Sequence, residues 1–138
     1  MHRRLSTLLK NLIHAPAFHE SDQLIAMPEG EFRVRDFFVN FGSIVDELTD
    51  EYRGYWGMLS DARFGRDNEL WLNTGGRDDI SLVVDEEDVE EFETRFKVDS
   101  AEDLAGAYIL VFGRLRNSAR GKKYIAISDI GHCTVSLS

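Results

Sequence analysis

The side chains in this chain that could do chemistry are cations and aromatic rings. Arg114, Arg116, Arg120, Lys122 and Lys123 crowd one short stretch. Arg53, Arg63, Arg66 and Arg77 come earlier, with Tyr55 and Trp71 among them. Cations that track phosphates and flat rings that stack on bases are the equipment of single-strand nucleic-acid binding. The run Arg53-Gly54-Tyr55 puts a cation and a ring on one strand face, because side chains alternate along a strand. Trp71 points away from Leu70 and Leu72 by the same alternation. It serves as a stacking platform if exposed, or as a packing group if the N-terminal helices cover it.

The equipment of catalysis is missing. His2, His14, His19 and His132 are scattered and give no metal-ligand spacing. No nucleophile elbow or phosphate-binding loop occurs. Thr74-Gly75-Gly76 reads as a hairpin turn. Asp61 and the pair Asp78-Asp79 could be catalytic carboxylates, but a chain with 25 acidic residues places such neighbours together by chance. Asp85-Glu86-Glu87-Asp88 lacks the spacing of a calcium loop and reads as a solvated helix start. The expectation is a protein that is not an enzyme and needs no metal or cofactor.

Charge is unevenly spread. The formal net charge is -9. Residues 78–103 hold 12 acidic and 2 basic side chains, whereas residues 104–138 hold 1 acidic and 5 basic ones. A basic island on an acidic protein can bind nucleic acid only against long-range repulsion. With 138 residues, 43% hydrophobic and 30% charged, the chain has the composition of one globular domain. A lone cysteine, Cys133, fits a reducing compartment. The N-terminal leucines are interrupted by polar residues and lead to no cleavage site, unlike a signal peptide. No run is long enough to span a membrane. The expected location is cytoplasmic, with no membrane partner.

Two kinds of element must position these groups. Leu5, Leu8, Leu9 and Leu12 repeat at helical spacing, and the helix should end near His14 because Pro16 disfavours helical geometry at Ala15. Leu24–Met27 reads as a short strand, followed by a turn at Pro28-Glu29-Gly30. Val34, Phe37, Phe38, Phe41, Val45 and Leu48 fit a second helical stripe, with Asp36 as its N-cap. From Tyr52 the period becomes two. One strand covers 52–59, a second centres on Leu70–Leu72 after the turn 64–68, and a third runs over 80–84. An acidic helix opening at Asp85 or Asp88 follows, with Val89, Phe92 and Phe96 on its apolar face. The nearly continuous apolar run 107–115 predicts a central buried strand. Asn117-Ser118-Ala119-Arg120-Gly121 turns it back into a return strand at 124–127, and 132–137 forms a last extended run. The pairing expected is between 107–115 and 123–130, antiparallel.

From Tyr52 to Leu137 the order is three strands, one helix and two strands. Gly106-Ala107-Tyr108-Ile109-Leu110-Val111-Phe112-Gly113-Arg114-Leu115, continued by Ile125-Ala126-Ile127-Ser128-Asp129-Ile130, carries a pattern similar to the closing hairpin of OB-fold domains. About two thirds of the chain resembles that fold, a five-stranded Greek-key barrel. The resemblance implies a mainly β protein with an OB-like barrel over 50–138 and a helical extension over 1–49 packed on it. It implies that Phe92 and Phe96 plug one end of the barrel, and that ligands meet the second and third strands and their flanking loops. A binding module results, with two readings. One takes single-stranded nucleic acid on Arg114, Arg116, Arg120, Lys122, Lys123, Arg53, Tyr55 and Trp71. The other is a protein-interaction domain using the acidic helix and the aromatic N-terminal helices.

Overall fold

The structure is a computed structural model that describes residues 2–27, 30–75 and 80–137. The chain opens with helix α1 (His2–His14), then strands β1 (Leu24–Met27) and β2 (Gly30–Arg33), a single turn of helix α2 (Val34–Phe37) and strand β3 (Phe38–Asn40). Strands β4 (Tyr52–Met58), β5 (Asp61–Phe64), β6 (Leu70–Asn73) and β7 (Ser81–Val84) precede helix α3 (Glu86–Phe96). Strands β8 (Tyr108–Arg114), β9 (Arg116–Asn117), β10 (Lys123–Ala126) and β11 (Cys133–Ser136) complete it. The protein is mainly β with helices. Its ladders form a β1-β2 hairpin, a five-stranded sheet β5-β6-β7-β10-β9 and a four-stranded sheet β11-β8-β4-β3. None of these sheets closes on itself, so the closed barrel expected from the strand order is not what the hydrogen bonds make.

Two cores share the four-stranded sheet. Alternation along β4 and β8 sends Tyr55, Leu59, Ile109 and Val111 into the space between the two large sheets. There they meet Leu70, Leu72, Leu82, Val84 and Ile125 from the other sheet. Phe92 and Phe96 of α3 enter the same core, with ring centroids 5.1 Å apart and nearly perpendicular. The opposite face of β4 and β8 presents Trp56, Leu110 and Phe112 to a second core. That core is covered by Leu5, Leu8, Leu9 and Leu12 of α1, all buried. Each such leucine contributes about 1.5–3 kcal/mol by leaving water, which fixes the helix on the sheet. The N-terminal residues therefore pack on the β structure, as the helical period of their leucines requires.

The sequence misleads at two places. The aromatic stripe from Val34 to Leu48 does not make one helix. Helix α2 stops at Phe37, and Phe38–Asn40 pairs in parallel with Gly54–Trp56. The Asn40 side chain then accepts the Gly42 N–H at 2.9 Å, closing a short 3-10 turn. Pairing wins because β4 supplies room for the rings. A Cβ at Gly54 would lie 2.6 Å from the Phe38 ring, and one at Gly57 would lie 2.6 Å from the Phe41 ring. The second correction concerns the last hairpin. Strand β8 pairs with β4 and β11 rather than with the return strand. Strand β10 pairs in parallel with β7, and its ladder to the outgoing arm is made with β9, at Arg116 and Asn117. A change of direction at Leu115 moves the chain from one sheet to the other.

Candidate interaction groove

Register decides which side chains meet on the outer face of the five-stranded sheet. Arg63, Trp71, Val83 and Ala126 are successive cross-strand partners. Asp61, Asn73, Ser81 and Tyr124 form the next row on the same face. The second row is internally satisfied. Asn73 Nδ2 donates to Asp61 Oδ1 at 2.7 Å, and Ser81 Oγ donates to Asn73 Oδ1 at 2.8 Å. Arg63 adds a third contact to Asp61 at 3.1 Å. The Asn73 and Arg63 hydrogen bonds lower the Asp61 pKa below its usual value. Asp61 is thus engaged by Asn73 and Arg63 as a structural carboxylate. The Asp78-Asp79 pair and Arg77 lie outside the described residues.

The first row opens into a groove of about 1140 Å3. Its floor is Trp71, Val83 and Tyr124; Trp71 and Tyr124 are half-buried. The turn after β5 contributes Asp67 and Glu69, the start of α3 contributes Asp85, Glu86, Glu87 and Glu90, and the hairpin contributes Ser118, Ala119 and Lys122. Close approach of the backbone at Gly65 sets the indole. A Cβ there would sit 2.9 Å from Trp71 Nε1 and would collide with the Glu69 carboxylate. The walls carry six carboxylates and one lysine. Among the described residues, no ion pair engages Asp67, Asp85, Glu86, Glu87 or Glu90. Asp85, Glu87 and Asp88 also approach one another closely enough to share a cation, but they are carboxylates at a helix start. Acid side chains there are explained by the helix dipole.

The eight groups singled out for nucleic acid are divided among four places: the groove, the segment before β4, the hairpin tip and the inner core. Trp71 and Lys122 lie in the groove. Arg114, Arg116 and Lys123 are held by the segment before β4. Arg116 pairs with Asp50 at 2.5 Å, Arg114 donates to the Asp50 carbonyl at 2.7 Å, and Lys123 pairs with Asp46. The lysine hydrogen bond and its charge lower the Asp46 pKa. Arg53 pairs with Glu51 at 3.3 Å and donates to the Tyr52 carbonyl. Arg120 is exposed at the tip of the hairpin turn. Tyr55 must be removed from the set. It is buried in the inner core and donates its hydroxyl to the Glu51 carbonyl at 2.8 Å. Burial raises its pKa to about 12. No face of that ring is open to a base, because the strand face it shares with Arg53 points inward at residue 55. Trp71 is not under the N-terminal helices; Trp56 takes that position.

The converging acids of the groove were missed by sequence reasoning. Their signal was present as the net charge of residues 78–103, but only the sheet register brings Asp67 and Glu69 opposite them.

No protein-family model matches the chain, and no curated protein matches it. Among solved structures, a chain assigned as an aspartyl-tRNA synthetase from Leishmania major Friedlin is similar, with a TM-score of 0.47 and 9% identity. The likeness covers 73% of this chain and 21% of that one, so this chain spans about a fifth of its length. Likeness at that level carries neither fold nor function. Among the described residues, no helix is long and apolar enough to cross a membrane.

Proposed function

We propose that the protein is a non-enzymatic binding module that takes an extended segment of a partner protein along the outer face of its five-stranded sheet. The observation that carries this reading is the groove floored by Trp71, Val83 and Tyr124. Its volume exceeds the roughly 300–1,000 Å3 typical of a small-molecule pocket, and its floor is apolar where a chain segment would lie.

We read the strand circuit as an OB-type barrel opened at two bends. Strand β4 leads to β5 through Leu59 and Ser60, and β8 leads to β9 through Leu115. Followed through those bends, the neighbours run β4/β5, β6, β7, β10, β8/β9 and back to β4. The parallel pairing of β7 with β10 and the antiparallel pairing of β4 with β8 fit that circuit. In such barrels the second and third strands and the loops beside them hold ligands. Here those are β6, β7, the turn after β5 and the last hairpin, which together border the groove.

The test is selection of peptides from a displayed random library on the immobilised protein, followed by rebinding to a Trp71→Ala variant. Peptides that bind the wild type and lose binding to Trp71→Ala support the reading. A library that yields no binder, or binders indifferent to Trp71, refutes it.

A further inference from the structure

We infer that the occupant of the groove is an arginine-rich extended peptide segment. This deepens the groove reading and rests on it. Two separate elements aim acid at one apolar floor: the turn after β5, with Asp67 and Glu69, and the start of α3, with Asp85, Glu86, Glu87 and Glu90. The groove-lining carboxylates at the start of α3, Asp85, Glu86, Glu87 and Glu90, have no cation partner among the described residues, whereas Glu91 outside the groove pairs with Arg95. Like charges held around one cleft focus a negative potential, which concentrates cations and repels phosphate chains. Polyanionic nucleic acid is therefore the wrong occupant for these walls.

The floor selects among cations. A guanidinium lies flat on an indole or phenol ring and still offers its edge to carboxylates in a bidentate fork. An ammonium ion makes a point contact and is more strongly hydrated. Trp71 and Tyr124 supply the faces, and Glu86, Glu87 and Glu90 supply acceptors at the rim. In an extended segment alternate side chains point the same way. An arginine at every second position would therefore present a row of guanidinium groups to the floor, with small residues facing solvent.

The experiment uses the full chain and four fluorescent probes at low and at moderate salt. Three are peptides of about ten residues, a length that spans roughly 33 Å when extended. They alternate serine with arginine, with lysine or with glutamate. The fourth is an oligothymidylate of similar length. The account expects the arginine peptide to bind best, the lysine peptide more weakly, and neither the glutamate peptide nor the oligonucleotide to bind measurably. Added salt should weaken the arginine peptide, since screening shortens the reach of the walls to about 10 Å at 0.1 M. The triple variant Glu86→Gln, Glu87→Gln, Glu90→Gln changes only exposed side chains and should bind the arginine peptide at least about tenfold more weakly, a change of 1.4 kcal/mol. An Arg120→Gln control should bind it as the wild type does. Equal binding of arginine and glutamate peptides, with both lost in Trp71→Ala, would overturn the charge inference and leave the groove reading standing. Oligonucleotide binding without peptide binding would overturn both. Undiminished arginine-peptide binding by the triple variant would also overturn the inference.

Discussion

The last hairpin and the groove beside it are both densely charged, and the difference lies in where their counter-charges are. Arg116 and Lys123, at the base of the hairpin, are neutralised within the molecule. Asp50 meets Arg116 from 66 residues away, and Asp46 holds Lys123. Asp50 adopts a left-handed backbone conformation, φ 67°, and its N–H donates to the Leu115 carbonyl at 2.7 Å. The segment 46–51 is thus strapped to the base of the hairpin by backbone and side chains together. The groove carboxylates have no such strap among the described residues. A local excess of charge in a sequence is therefore not a free charge on a surface. What counts is whether the fold returns an opposite charge to it.

The largest expected effect tests the sheet that carries both regions. Phe112 and Val111 both face cores, on opposite sides of β8. Phe112→Ala should cost about 3–5 kcal/mol, read by denaturant unfolding. Trp71→Ala, on the outer face, should cost much less. Equal losses would mean that the groove floor is core and the comparison fails.

Alkali comes next. Burial raises the pKa of Tyr55 and of Cys133 to about 12. Their ordinary values are 10.0 and 9.0. A group that holds its proton more tightly when folded stabilises the fold fully below its unfolded pKa and loses that contribution as pH rises through the folded one. Melting temperature should hold up to about pH 9 and then fall steadily towards pH 12. Tyr55→Phe, which removes one of the two groups, should flatten that fall. An unchanged slope would contradict the core placement of Tyr55 and restore it as a surface ring.

Ionic quenching of tryptophan fluorescence separates the signs of the two regions. Trp56 is buried under α1, so quenching reports Trp71. Caesium should quench more than iodide, because the surrounding walls are acidic. Greater quenching by iodide would place the hairpin cations, not the carboxylates, around the ring.

The smallest effect belongs to the strap. Asp50→Asn should lower stability by less than about 1 kcal/mol, since exposed ion pairs contribute little. Asparagine tolerates the left-handed conformation. If the hairpin cations are masked rather than absent, the double variant Asp46→Asn, Asp50→Asn should gain salt-sensitive oligonucleotide binding in gel-shift titration. No gain would mean that neutralisation is not what silences the hairpin.

Period alone made much of the fold legible. The α1 leucines, the split of β4 into two faces, the inward Leu70 and Leu72 with outward Trp71, and the apolar side of α3 all follow from alternation or helical spacing. What period could not give was partnership. The stripe of phenylalanines from Val34 onward satisfies a helix, but the open backbone of β4 at Gly54 and Gly57 offers their rings a better place in a sheet. The return strand β10 is recognisable as a strand, yet its parallel pairing with β7 depends on contacts with residues some 40 positions earlier. The candidate site fared similarly. Trp71 and Lys122 could be named from their strand and hairpin, while Tyr55 could not be seen as buried without knowing which face of β4 meets the second sheet.

The central claim is that the Trp71 groove, and not the basic hairpin, is the interaction surface. Its most direct test is titration of the nitrogen-15-labelled protein with the alternating arginine-serine peptide, followed through the two indole N–H resonances and the hairpin amides. The account predicts that the Trp71 indole and the amides of Glu86 to Glu90 shift together with one binding curve, while the Trp56 indole and the Arg114 and Arg116 amides stay in place. Shifts confined to Arg114 and Arg116, or an indole of Trp71 that does not move at saturating peptide, would contradict it.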